Sequence, residues 1–83
     1  GAEADEMKGK AEAQIPLAYY RQATLFLKRK QYDNAIPYLE NTVKYATEYG
    51  NNAETAGKAN KYLMQAYMRV GQQNFKNQNY DAA

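Results

Sequence analysis

An internal repeat constrains the fold of this chain more than any other feature of its sequence. When the chain is aligned with itself at an offset of 48 residues, positions 1–35 fall on 49–83, and eleven of the thirty-five pairs are identical. The identical pairs are Glu6/Glu54, Gly9/Gly57, Lys10/Lys58, Ala11/Ala59, Ala18/Ala66, Tyr19/Tyr67, Arg21/Arg69, Lys28/Lys76, Tyr32/Tyr80, Asp33/Asp81 and Ala35/Ala83. Periods of about 20 to 50 residues are typical of solenoids, whose units stack apolar face to apolar face. The sequence therefore predicts one domain over residues 1–83, with a full repeat at about 3–50 and a partial second repeat at about 51–83.

Within these units the apolar and small residues have the spacing of amphipathic helices. They recur every three or four positions, which places them on one helical face. These positions are Ala11, Ile15, Ala18, Tyr19, Ala23 and Phe26, then Ala35, Leu39, Thr42, Ala46 and Tyr49, and finally Ala59, Leu63, Ala66, Tyr67, Val70, Gly71 and Phe75. Gly50–Asn52 is a helix stop and turn signal. No alternating run of β-branched residues occurs, so the predicted fold class is all-α with about three helices.

Two prolines modify this prediction. Pro16 falls inside the first helical pattern, where it removes a backbone donor and crowds the preceding turn, so we expect a kink or break near Gln14–Pro16. The residue aligned with it is Met64, so the third helix is expected to run straight from about Asn52 to about Asn77. Pro37 is expected in the first turn or so of the second helix, where backbone donors are mostly unpaired. Asp33 near that start suits the helix dipole and can cap.

The segment Gln31–Ile36, which reads Gln-Tyr-Asp-Asn-Ala-Ile, resembles the turn into the second helix of a tetratricopeptide repeat (TPR). Tyr19, Ala23 and Phe26 match the aromatic, small and aromatic positions of that family's first helix, and Tyr80–Ala83 repeats the turn. The period is 48 residues where the family has about 34, and the family's closing proline is missing. The resemblance implies a TPR-like helix-turn-helix solenoid fragment whose first helices are elongated to about seven turns.

The resemblance also implies a function, that of a non-catalytic protein–protein interaction scaffold. In such folds the first helices line a concave groove that holds a peptide or a partner helix. On the family register the groove-facing positions are Leu17, Tyr20, Thr24, Leu27 and Lys28 in the first copy and Gln65, Met68, Gln72, Phe75 and Lys76 in the second. Packing against a neighbouring helix is the favoured alternative for Leu27 and Phe75, and an equally weighted one for Tyr20 and Met68. The family's clamp for a peptide carboxylate has no convincing counterpart here.

Self-association is the alternative function. Stacked repeats cannot bury their apolar faces alone, and about three are usually needed for stability. The face that carries Tyr67, Val70, Gly71 and Phe75 is expected to be half covered, and an exposed patch of this kind favours association. The alternative is therefore a structural, self-assembling module that forms a homodimer or other homo-oligomer through this face.

Composition argues against catalysis and against bound cofactors. The chain has no histidine and no cysteine, which removes the commonest general base and the usual zinc ligands. It also has no glycine-rich phosphate loop. Glu3, Asp5, Glu6 and Glu12 are expected to be solubilising charges on the polar side of the first helix. We therefore expect no enzyme activity, no cofactor and no metal site.

The remaining composition bears on other partner classes. Nine tyrosines raise single-stranded nucleic acid as a partner, but the net charge is only +2 and Lys28–Lys30 is the only basic cluster. That cluster is expected to be a solvated helix end, so nucleic acid is disfavoured. The apolar runs are too short for a membrane helix. The sequence shows no leader, and it does not predict the cellular compartment. The abundance of Tyr, Asn, Gln and Lys suggests a bacterial source.

Overall fold

Three antiparallel helices make up the fold. The structure, a computed structural model, describes residues 2–49 and 52–82, with side chains through Asn77. The helices are α1 (Ala2–Lys28), α2 (Tyr32–Tyr49) and α3 (Ala53–Ala82). Both α1 and α3 pack along α2 and contact each other far less, so the molecule is a thin rod of 67 × 17 × 14 Å. The prediction of an all-α fold with about three helices is confirmed.

The core is a seam of small side chains centred on α2. Its fully enclosed residues from α2 recur every three or four positions and are Ala35, Leu39, Thr42 and Ala46. Ala23 enters this seam from α1, and Ala59 and Ala66 enter it from α3. The Thr42 hydroxyl donates a hydrogen bond to the Tyr38 carbonyl at 2.7 Å, so this buried polar group is satisfied. Small residues let the three backbones approach closely, which is why so short a chain encloses a core.

A row of aromatic rings lies along the contact between α1 and α2. Tyr19 stacks on Tyr45 with ring centroids 5.4 Å apart, and Tyr45 stacks on Tyr49 at 6.0 Å. Tyr38 joins the row, with its ring 6.3 Å from Tyr19 and 5.3 Å from Phe26. Rings at such separations add to the apolar burial that holds two helices together. This aromatic row fixes α2 against α1.

The turn between α1 and α2 is closed by a Schellman motif. The Gln31 N–H donates to the Phe26 carbonyl at 2.9 Å, and the Lys30 N–H donates to the Leu27 carbonyl at 3.0 Å. Lys30 is left-handed, with φ of 59°, at the position where glycine is usual. The turn therefore carries a lysine at a conformational cost of about 1 kcal/mol.

The start of α2 places Asp33 in the first turn, where its charge suits the helix dipole as expected. Asp33 is not the N-cap, because its Oδ1 accepts a hydrogen bond only from the N–H of the next residue, Asn34, at 2.9 Å. The first helical bond of α2 runs from the Ala35 N–H to the Gln31 carbonyl at 3.1 Å. Pro37, expected in the first turn or so of α2, lies in its second turn and is exposed. Gly50 and Asn51, part of the predicted stop signal, lie outside the described residues.

The predicted break near Gln14–Pro16 is wrong, because α1 runs continuously from Ala2 to Lys28. Pro16 is fully buried, and the burial of its ring offsets the lost backbone hydrogen bond. One turn earlier, the Ala13 carbonyl accepts a hydrogen bond from the Asn52 side-chain amide at 3.3 Å. This bond ties the residue before α3 to α1 close to the proline. A bend at this point stays a prediction.

The predicted end of the third helix is also wrong. α3 continues past Asn77 to Ala82, through the segment that aligns with the α1–α2 turn. In the first copy that turn is held by α2 packing back along α1. Among the described residues no element packs back along the end of α3. Continued helix formation, which adds a hydrogen bond with each residue, is then the favoured state.

Candidate binding groove

A shallow groove lies between the end of α1, the α1–α2 turn and the second half of α3. It forms because α2 lies against both of the other helices and holds them apart. It consists of two adjoining clefts that share Tyr32, Arg69 and Gln72. The central cleft, about 390 Å³, is lined by Leu27, Tyr32, Gln65, Met68, Arg69 and Gln72. The basic cleft, about 330 Å³, is lined by Lys30, Tyr32, Arg69, Gln72, Gln73 and Lys76.

Several of the predicted groove positions come together in these clefts. Leu27, Gln65, Met68 and Gln72 line the central cleft, and Lys76 joins Gln72 in the basic cleft. Leu27 is half-buried and packs against the core, as its packing alternative expected, and it also lines the central cleft. Met68 is 61% exposed, which leaves its thioether free for a partner.

Other predicted positions lie elsewhere. Tyr20 is half-buried, with its ring 6.4 Å from that of Tyr62 across the α1–α3 contact. The Thr24 hydroxyl donates to the Arg21 carbonyl at 2.8 Å within α1. Lys28 and Phe75 are exposed but line neither cleft, and half-buried Leu17 lines neither as well. Phe75 is 64% exposed, so the packing alternative is wrong for its ring.

Sequence reasoning missed Lys30, Tyr32, Arg69 and Gln73 as groove residues. Lys30 was assigned to a solvated helix end, yet the left-handed turn places it on the rim of the basic cleft. Arg69 and Tyr32 each belong to an identical pair of the self-alignment, and that recurrence was the available signal. The packing of the helices brings Arg69 close to Lys30 and Tyr32, and the spacing of residues in the sequence does not predict that packing.

The electrostatics of the groove are one-sided. Lys30, Arg69 and Lys76 line the basic cleft, and among the side chains that the structure describes none of its lining residues is acidic. The ion pairs among the described residues join neighbouring turns of one helix, Lys8–Glu12, Lys10–Glu6 and Lys58–Glu54, and none includes a groove cation.

Burial, with a contribution from Tyr62, raises the pKa of Tyr20, while Lys58 opposes that rise. The phenol of Tyr20 is therefore a neutral packing group at ordinary pH.

A second surface, the open face of α3, is apolar and exposed. It comprises Met64, Tyr67, Gly71 and Phe75, which recur every three or four residues along one side of the helix. Met64 is 72% exposed, Tyr67 52% and Phe75 64%. Contiguous exposed apolar side chains of this kind mark an interaction surface.

Among residues 2–49 and 52–82 no group of three or more metal-ligating side chains comes together. In the same part of the chain, none of the helices has both the length and the apolar character needed to cross a bilayer. No protein-family model matches this chain, and no curated protein or solved structure matches it either. The likeness to tetratricopeptide repeats thus rests on the residues and spacing in the sequence.

Proposed function

We propose that this protein is a non-catalytic protein–protein interaction scaffold that binds a peptide or partner helix in the groove between α1 and α3. The observation that carries the proposal is the central cleft, where Met68 lies exposed beside Leu27. A flexible, polarisable thioether adapts to varied partners. The cleft is also lined by Gln65, Arg69 and Gln72, whose side chains can form hydrogen bonds with the backbone of a bound peptide.

The test is a selection of peptides from a random 12-residue library displayed on phage, followed by fluorescence anisotropy with the selected peptides. Met68→Asp replaces an apolar lining residue of the central cleft with a charge and should weaken binding at least tenfold. Met7→Asp is the matched control, because Met7 is an exposed methionine near the start of α1 that lines neither cleft. Binding that is equal in the two variants, or a library that yields no binder, would contradict the proposal.

A second candidate function is self-assembly through the open face of α3. It is supported by the three large exposed side chains of that face. Burial of an exposed apolar side chain of this size contributes about 1.5 to 3 kcal/mol, so a symmetric pairing of two such faces would be favourable.

Sedimentation velocity over a range of micromolar concentrations tests this second function. The wild type should form dimers, and the double change Met64→Asp and Phe75→Ser should give a folded monomer. Met7→Asp, at an exposed methionine of α1 away from this face, serves as the control and should leave the dimer intact. A wild type that remains monomeric at every concentration would exclude self-assembly as the function of this face.

A further inference from the structure

We propose that the basic cleft recognises acidic side chains of the partner segment, so that the groove selects a peptide with carboxylates next to an apolar anchor. This inference rests on the proposed scaffold function and specifies the chemistry of the partner. The residues that carry it are Lys30, Arg69 and Lys76. Lys30 lies in the α1–α2 turn, and Arg69 and Lys76 lie about two turns apart on α3.

The first argument is charge. Three cations line one cleft of about 330 Å³ together with the amides of Gln72 and Gln73 and the ring of Tyr32. Lysine, arginine and glutamine side chains all carry N–H donors, and a carboxylate accepts several such bonds at once. The acidic residue nearest in sequence is Asp33, whose Oδ1 already accepts the Asn34 N–H. The cations are thus concentrated without an acidic lining residue among the side chains described through Asn77.

The second argument is the backbone of Lys30. A left-handed φ of 59° favours glycine, and glycine would close the Schellman motif without strain. A non-glycine residue there costs about 1 kcal/mol, and such outliers concentrate at functional sites. The structure thus keeps a lysine side chain on the cleft rim at the expense of stability, which is expected if that side chain binds something.

The third argument distinguishes a peptide from a nucleic acid. The basic cleft continues directly into the central cleft, where Leu27 and Met68 supply apolar lining. Nucleic-acid grooves need a longer track of cations along the phosphates, and aromatic platforms for the bases. Here the cations are few, and the large aromatic row lies on the α1–α2 side of the molecule. A short acidic and apolar segment is the better match.

The experiment compares the peptides selected by the wild type with those selected by the triple variant Lys30→Gly, Arg69→Gln, Lys76→Gln. Peptides bound by the wild type should be enriched in Asp and Glu over the input library, and the triple variant should lose that enrichment. If peptides bind without acidic enrichment, the scaffold function stands and this inference is wrong. If no peptide binds, the scaffold function itself fails.

Single variants sharpen the test with one selected peptide, acetylated and amidated so that only side-chain carboxylates are present. Removal of each cation should weaken binding about threefold, with the loss diminishing at high salt. Lys61→Gln is the matched control, since this exposed lysine of α3 lines neither cleft and its loss changes the net charge equally. If Lys61→Gln lost as much affinity for the peptide, net charge alone would explain the losses in the cleft variants, and the proposal would be overturned.

Two further measurements distinguish a peptide ligand from a nucleic acid and from a second copy of this chain. A 12-nucleotide oligothymidylate should bind much more weakly than the acidic peptide, and tighter binding would assign the cleft to nucleic acid instead. The triple variant should sediment like the wild type. A wild-type oligomer that dissociates in the triple variant would assign the cleft to the acidic start of α1 in a second copy, which also overturns the proposal.

Discussion

The helices α1 and α3 carry aligned sequences, yet they bury different faces against α2. Pro16 and Ala23 of α1 are buried, while Met64 and Gly71, which align with them at the 48-residue offset, are exposed. The reverse holds for Ala11 and Ala18, which are exposed in α1, while the aligned Ala59 and Ala66 are completely buried in α3.

The two buried faces differ by a simple rotation. The buried Ala59 and Ala66 of α3 align with positions five residues before Pro16 and Ala23 of α1, which corresponds to a rotation of about 140° around the helix. Each helix therefore carries two adjacent apolar faces. In α1 the second face borders a shallow cavity of about 400 Å³ lined by Ile15, Ala18, Tyr19, Gln22 and Tyr38. In α3 the second face is the open face defined above.

This difference teaches that an apolar position in this sequence is not by itself a core position. Tyr19 of α1 is half-buried in the aromatic row, while the identical Tyr67 of α3 is 52% exposed. What decides between them is whether α2 lies on that side of the helix. The predictions below test this asymmetry, beginning with the largest expected effect.

The largest expected effect separates two aligned alanines. Ala66→Asp would bury a carboxylate in the seam and should cost about 3 kcal/mol or more, enough to unfold much of so small a domain. Ala18→Asp is the control and should change the free energy of unfolding by no more than about 0.5 kcal/mol, because that position is exposed. Urea denaturation followed by circular dichroism measures both. Similar losses at the two positions would mean that the buried faces are assigned wrongly.

A smaller effect, of opposite sign at two aligned positions, concerns the turn. Lys30→Gly should raise the free energy of unfolding by about 1 kcal/mol, because glycine adopts the left-handed φ without strain. The aligned change Gln78→Gly lies within α3 and should lower it by up to about 1 kcal/mol, since glycine disfavours a helix interior. Thermal unfolding of both variants gives the comparison. Stabilisation by both changes would show that residue 78 forms a turn like residue 30.

The smallest effect concerns pH and the half-buried Tyr20, whose aligned residue is Met68. Burial raises the pKa of Tyr20 in the folded chain above its usual value of 10.0. The folded state therefore holds this proton more tightly, and the linked stability is fully present below pH 10 and is lost as pH rises through the folded pKa. The free energy of unfolding should decline above pH 10, and the decline should be smaller in Tyr20→Phe. If the free energy of unfolding declined equally in the wild type and in Tyr20→Phe, ionisation of Tyr20 would not be the cause of the decline.

Much of the fold was accessible from the sequence, and the groove was accessible in part. The spacing of Ala35, Leu39 and Thr42 predicted the buried side of α2, and the structure places all three in the core. Leu27 and Met68 were predicted groove residues and lie in one cleft. Lys30 was missed because its position depends on a left-handed turn, which a lysine does not signal. Whether these residues bind a partner stays a prediction.

Two errors have the same physical origin. A proline and a turn signal are local preferences worth a few kcal/mol, and packing can override both. Burial of Pro16 against the rest of the molecule keeps α1 continuous. At the end of α3 the turn signal at Tyr80 and Asp81 has no packed helix to support it among the described residues, so the helix continues.

By itself the sequence determined the all-α class, the existence of three helices and the approximate position of their turns. These follow from apolar periodicity and from local turn chemistry, which act over a few residues. Only the tertiary structure decided which of two apolar faces each helix buries, and where the cations of the basic cleft meet. Those outcomes depend on the contacts of α2 with both neighbours, and the periodicity of one helix contains no information about the side from which another helix approaches.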